Sequence, residues 1–136
     1  MCGISGIISH NIDDKSRLLK MSNSINHRGP DFNSIWISEN KNVGFAHNRL
    51  SIIDLSNNAN QPMLCQNNRF VLSFNGEIYN YKILKKEIEQ SFKINWKSSS
   101  DTEVLLEFIS NFGLNKTLKM INGMYAFSVF DKEKNI

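Results

Sequence analysis

The sequence has only two cysteines, Cys2 and Cys65, too few for the disulfide framework that staples small secreted domains. No apolar run approaches the roughly 20 residues that a membrane-spanning helix needs. The opening "MCGISGIISH" has no basic stretch ahead of its short apolar segment, which makes it a poor secretory signal. A basic stripe is also missing. The formal net charge is +3, but Lys82, Lys85, Lys86, Lys93 and Lys97 are interspersed with Glu87, Glu89, Glu103 and Glu107. That is the pattern of solvated faces and not of a nucleic-acid surface, which would need clustered cations with stacking aromatics. Internal repeats are absent, and the only compositional bias is toward Asn, Lys and Ser in the polar stretches that read as loops. These absences predict a cytoplasmic chain with neither a nucleic-acid nor a membrane partner.

What is present fits one globular domain: 136 residues, 40% hydrophobic and 21% charged, enough to bury a core. The β-branched "ISGIIS" reads as a strand. In "DDKSRLLKMSNSIN", Leu18, Met21 and Ile25 recur at near-helical spacing behind Asp13 and Asp14, which suit a helix start. Gly29 and Pro30 in "HRGPD" end that helix. "FNSIWIS" and "VGFAHNRLSII" read as strands joined by the turn "ENKN", and "DLSNNANQPMLCQNN" as a long polar loop. "RFVLSF" is a buried strand running into Asn75-Gly76, followed by a helix at "YKILKKEIEQ" and a strand at "FKINWK". The clearest helix is "SSSDTEVLLEFISNFG". Ser100 and Glu103 form a capping-box pattern, Val104, Leu105, Phe108 and Ile109 an apolar face, and Gly113 the stop. A short helix at "NKTLKMI" and a strand at "GMYAFSVFD" complete the order. "DKEKN" reads as a hairpin turn with Ile136 opening a strand that should pair back onto "YAFSVF". An unpaired apolar edge is an aggregation hazard, so the chain is expected to be the N-terminal portion of a longer protein.

A thiol at position 2 is useless for packing unless the chain end is tied down. Its worth is chemical: once Met1 is removed, Cys2 combines a thiol nucleophile with an α-amine whose pKa of about 8 suits a base near neutrality. Gly3 allows close approach of a substrate. Alone, a second-position cysteine is a weak signal. A lipid anchor would need an upstream signal, and Cys2, Cys65, His10, His27 and His47 show no tight pairing of structural-zinc type. Cys65 reads as a small packing hydrophobe or as an idle residue of its loop. A nucleophile acting on an acyl carbon needs an oxyanion site. The Asn75 amide and the Gly76 N–H at "NGE" could supply one, although a plain turn explains the same residues. An amino-acid substrate would call for a fixed guanidinium and a fixed carboxylate. Arg49 and Asp101 fit those parts, although a solvated strand-end Arg and a helix-dipole Asp are the simpler readings of each.

The blocks "MCGISG", "NHRGPD" (26–31), "HNRLSIIDLS" (47–56), "QPM" (61–63), "NGEIYNY" (75–81), "SSSDTEVLL" (98–106) and "INGMYAFSVFD" (121–131), in this order and spacing, resemble the glutaminase domain of glutamine-dependent asparagine synthetases. "MCGI" alone would be shared with other class II glutamine amidotransferases. The resemblance implies an α+β, N-terminal nucleophile (Ntn) hydrolase fold: two stacked antiparallel sheets between helical layers, an αββα sandwich. Here residues 1–136 would form the domain, incomplete at its C-terminal end. It implies glutamine hydrolysis to glutamate and ammonia through a thioester on Cys2, with Asn75 and Gly76 holding the oxyanion. Arg49 would bind the substrate carboxylate, Asp101 and Glu77 its ammonium, and main-chain groups of Leu50 and Ile52 would complete the pocket. "HRGPD" would order the loop facing the nucleophile. Ammonia would pass to a C-terminal synthetase domain that amidates aspartate; ATP and magnesium belong to that domain, and no cofactor or metal to this one. The expected partners are L-glutamine and the synthetase domain, and a homodimer is compatible with both. Two other readings remain: a non-catalytic copy of the fold serving as a binding or structural module, and a zinc or redox protein using Cys2 and Cys65.

Overall fold

The computed structural model describes residues 1–12 and 15–136; the helix start assigned to Asp13 and Asp14 lies outside the described residues. Strands β1 (Gly3–Ile8), β2 (Phe32–Ile37) and β3 (Val43–Arg49) form one antiparallel sheet in the order β1-β3-β2. Strands β4 (Met63–Leu64), β5 (Phe70–Ile78) and β6 (Gly123–Asp131) form a second, in the order β4-β5-β6. Helix α1 (Ser16–Ser24) packs on the first sheet, and α3 (Asp101–Phe112) on the second beside α2 (Tyr81–Ser91) and α4 (Leu114–Met120). The sheets meet where β1 and β3 face β5, which gives the helix-sheet-sheet-helix layering.

Two apolar layers hold this together. Between the sheets, Phe45, Val71 and Phe130 are buried with Trp36 and Val43 against them. The Trp36 ring centroid stands 5.7 Å from that of Phe45 and 5.5 Å from that of Phe130. Beneath the second sheet, Leu72, Phe74 and Ile78 of β5 meet Leu84 and Ile88 of α2 and Val104, Leu105, Phe108 and Ile109 of α3. Each such side chain, fully withdrawn from water, contributes about 1.5–3 kcal/mol. Every residue of α3 from Asp101 to Ile109 is buried, because sheet, α2 and α4 enclose it on several sides. The four expected apolar residues of α3 are therefore in the core, and Leu106 joins them. In α1, Leu18 is fully buried whereas Met21 is exposed.

Several local expectations change. "FKINWK" forms no strand. Ile94 and Trp96 still pack on the core, but the backbone is bound by side chains: the Asn95 N–H donates to Gln66 and the Lys97 N–H to Glu103. The capping box is half made. Ser100 Oγ accepts from the Glu103 N–H at 3.3 Å, but the Glu103 carboxylate accepts from the N–H groups of Lys97 and Ser98, one turn of chain earlier than the pattern requires. The strand expected through "SII" stops at Arg49. The polar loop after it contains a single 3-10 turn at Asn57–Ala59, a cis bond before Pro62 and the two residues of β4. "NGE" is not a turn: β5 runs through it to Ile78. At the end of β6, residues 132–135 do turn, and Ile136 exchanges backbone hydrogen bonds with Asp131.

Candidate active site

One cavity of about 180 Å³ is lined by Cys2, Arg49, Leu50, Ile52, Asn75, Gly76, Glu77 and Asp101, all eight residues singled out in the sequence. They come from the residue before β1, the end of β3 with the loop after it, the C-terminal half of β5 and the first turn of α3. Gln61, Phe74, Thr102, Met124, Asp54 and the 61% exposed Met1 line it too.

Cys2 is half-buried, just ahead of β1, where Gly3 pairs with Asn48. Its Sγ accepts from the Leu50 N–H at 3.4 Å. The "HRGPD" loop braces this end of the chain. Arg28 Nε donates to the Cys2 carbonyl at 3.1 Å, the Asp31 N–H to the Arg49 carbonyl at 3.0 Å, and the Ser51 N–H to the Asp31 carboxylate at 2.7 Å. Gly29 lies so close to the backbone of Asn48 and Arg49 that a Cβ would collide with it.

Arg49 is buried, not a solvated strand end. It donates to the carbonyls of Asp54 and Ser56 and to Asn60 Oδ1. Three of a guanidinium's five N–H groups thus hold the wall of the cavity. Asp54 in turn accepts from the backbone and hydroxyl of Ser99 and from the Ser56 N–H, and the Ser56 side chain, ahead of these bonds, draws its pKa down to about 2. The loop is thereby tied to the approach of α3.

The edge of β5 explains the "NGE" position. In an antiparallel ladder, alternate residues turn their N–H and C=O to opposite sides. The Phe74 N–H donates to Gln61 Oε1 and the Ile78 N–H to Asp101 Oδ2, so even-numbered residues here face away from β6. Gly76 shares that orientation. β4 covers β5 only at Val71 and Leu72, so no strand stands opposite the Gly76 amide, which points to the cavity side. On the other face, Gly76 meets Tyr125 and Met124 of β6 so closely that any Cβ would strike the Met124 carbonyl. The Asn75 carboxamide has its Oδ1 buried without a partner.

Asp101, in the first turn of α3, is buried, and burial pushes its carboxyl above the usual range, with the Glu77 charge acting the same way and the Ile78 N–H opposing both. Two carboxylates facing one cavity, one of them desolvated, make a cation-seeking wall. Cys65 is buried, with its Sγ accepting from the Phe70 N–H. Among the described residues, no group of three His, Cys, Asp or Glu side chains is placed to hold a metal ion, and no helix is long and apolar enough to cross a membrane. The sequence reading missed His47 and Gln61. His47 is fully buried, its Nε2 lies 3.1 Å from the Phe74 carbonyl, and its Nδ1 has no partner. Both residues fall inside recognisable blocks, but no spacing rule ties either to Phe74.

Comparison with known proteins agrees with this geometry. The profile of the family described as "Glutamine amidotransferase domain" matches residues 1–136. A putative glutamine-hydrolysing asparagine synthetase 2 of Methanocaldococcus jannaschii is 37% identical over 153 residues, spanning 100% of this chain and 29% of that protein. Asparagine synthetase B of Escherichia coli is 36% identical over 138 residues, spanning 99% of this chain and 24% of its own length. The chain therefore spans less than a third of these relatives. Among solved structures, glutamine phosphoribosylpyrophosphate amidotransferase of Bacillus subtilis superposes with a TM-score of 0.73 at 23% identity, covering 95% of this chain and 35% of that one; this likeness establishes the Ntn-hydrolase fold. With the profile covering its whole length, the chain belongs to the glutamine amidotransferase domain family, and its curated relatives include glutamine-hydrolysing asparagine synthetases.

Proposed function

We propose that this chain, after loss of Met1, hydrolyses glutamine to glutamate and ammonia through a thioester on Cys2. The Cys2 thiol passes its proton to the freed α-amine and attacks the side-chain amide carbon of glutamine. The carbonyl oxygen becomes an oxyanion held by the Gly76 N–H and the Asn75 amide. When the C–N bond breaks, the α-amine returns the proton to the departing nitrogen and ammonia leaves. Water then cleaves the γ-glutamyl thioester, regenerating the thiol. Arg49 binds the substrate carboxylate with the N–H groups not engaged by the loop, while Asp101 and Glu77 bind its ammonium. In the whole protein the ammonia goes to a synthetase domain outside these residues, which amidates aspartate using ATP.

The observation that carries this reading is the uncovered edge of β5. It aims a backbone donor into the cavity where Cys2 opens, between two amides already committed to Gln61 and Asp101. Backbone donors aimed at a developing oxyanion are worth about 10²–10³ in rate each. The test is intact mass after exposure to an electrophilic glutamine analogue. Loss of Met1 with one adduct on Cys2, suppressed by glutamine, supports the reading; an adduct that glutamine does not suppress refutes it. Cys2→Ala is expected to abolish glutamine hydrolysis without lowering the unfolding midpoint, since the Cys2 Sγ makes only two long hydrogen bonds, both to the Leu50 main chain. Residual hydrolysis above a few per cent would mean that the nucleophile lies elsewhere.

A further inference from the structure

The Phe74 peptide, immediately before Asn75, is held on both polar atoms by side chains and not by a strand. Its N–H donates to Gln61 Oε1 at 2.7 Å, and its carbonyl lies 3.1 Å from His47 Nε2. Since a carbonyl only accepts, Nε2 carries the proton, and the unpartnered Nδ1 is bare. His47 reaches across from the other sheet, where it pairs with Ile4 two residues beyond Cys2. Gln61 is buried as well. Its Nε2 lies 3.5 Å from Thr102 Oγ1, next to Asp101, and its carbonyl accepts from Ser34 of β2. The clamp therefore links the strand of the nucleophile, the edge of β5 and the start of α3.

We infer that His47 and Gln61 are positioning residues, which grip the two main-chain polar groups of Phe74 along the open edge of β5 and so fix the Asn75 amide and the Gly76 N–H relative to Cys2. This rests on the reading of Asn75 and Gly76 as oxyanion donors. A strand held by a neighbour on one side only can still tilt at its open edge, and a displacement of about 1 Å at reacting groups costs about 100-fold. A strand paired there would have fixed the edge equally well but would have covered the Gly76 amide; two side chains fix the Phe74 main chain and leave the next even-numbered amide open. Neither residue touches the reacting atoms in this role.

The test is steady-state glutamine hydrolysis by the full chain, with a double-mutant cycle. His47→Leu and Gln61→Leu are each expected to lower kcat about 10- to 100-fold with KM changed less than threefold. His47→Gln, whose amide can donate from near the position of Nε2, is expected to restore most of kcat. In an Asn75→Ala background, His47→Leu should cost less than it does in the parent, because one of the two donors it positions is gone and only the Gly76 N–H is left to misplace. Should His47→Leu not fold, the Gln61→Leu and His47→Gln arms decide the matter alone. Additive losses in the cycle, or losses confined to KM and to thermal stability, would overturn the inference while leaving the donors in place. Undiminished kcat in Asn75→Ala itself would instead overturn the oxyanion reading on which it rests.

Discussion

Acidification is the perturbation whose outcome the structure specifies most closely. His47 is fully buried, and burial lowers its pKa from 6.5 to about 4, with the Phe74 carbonyl opposing the change and the Arg49 charge reinforcing it. The unfolded chain takes up this proton near pH 6.5, and the folded chain only near pH 4. Between those values the unfolded state binds more protons, so stability falls as pH falls; below about 4 both states are protonated and the loss levels off. At about 1.4 kcal/mol per pH unit the window amounts to about 3 kcal/mol, a large part of a typical total of about 5–15 kcal/mol. Asp101 and Glu107, raised by burial, act in the opposite direction. Asp54 gives way only below its ordinary value, since its folded pKa is about 2. The assay is therefore a comparison: urea unfolding of the parent and of His47→Gln at pH 7.5 and pH 4. The parent is expected to lose about 3 kcal/mol more than the variant. Equal losses would refute the buried neutral imidazole and the Nε2–H bond to Phe74 with it.

Gly76→Ala is expected to destabilise the domain by several kcal/mol and to abolish hydrolysis, since its Cβ has no space beside Met124 and Tyr125; a normal unfolding midpoint would show that β6 yields. Asp101→Asn keeps an acceptor for the Ile78 N–H but removes the charge, so KM for glutamine should rise about 10- to 100-fold with kcat within about threefold, checked by initial rates; an unchanged KM would take the ammonium away from Asp101. Ser100→Ala removes the α3 cap and should cost about 1 kcal/mol by urea titration. A cost near zero would mean that the Glu103 contacts to Lys97 and Ser98 hold the helix start without it.

The elements whose signals are local were legible in advance. Ser100 marks the start of α3, Gly113 its stop and period 3.6 four of its core residues. The failures were of another kind. "FKINWK" has strand-like residues, but no strand stands beside it, so Gln66 and Glu103 took up its amides. Arg49 looked like a solvated strand end because the residues that bury it, Asp54, Ser56 and Asn60, belong to a loop whose path no periodicity encodes.

The sequence by itself determined the inventory: an N-terminal thiol once Met1 is lost, an Asn-Gly pair, a guanidinium, two carboxylates, and their order along a chain of the glutamine amidotransferase family. Tertiary structure alone decided which of these groups are free to act. β4 begins only opposite Leu72, so the even-numbered amides of β5 beyond that point have no neighbour strand. Gln61 and Asp101 then take the amides of Phe74 and Ile78, and the amide of Gly76 is left open toward Cys2. The length of one strand, the parity of another and the reach of two side chains from distant positions are properties of pairing, and pairing is not written at any single residue.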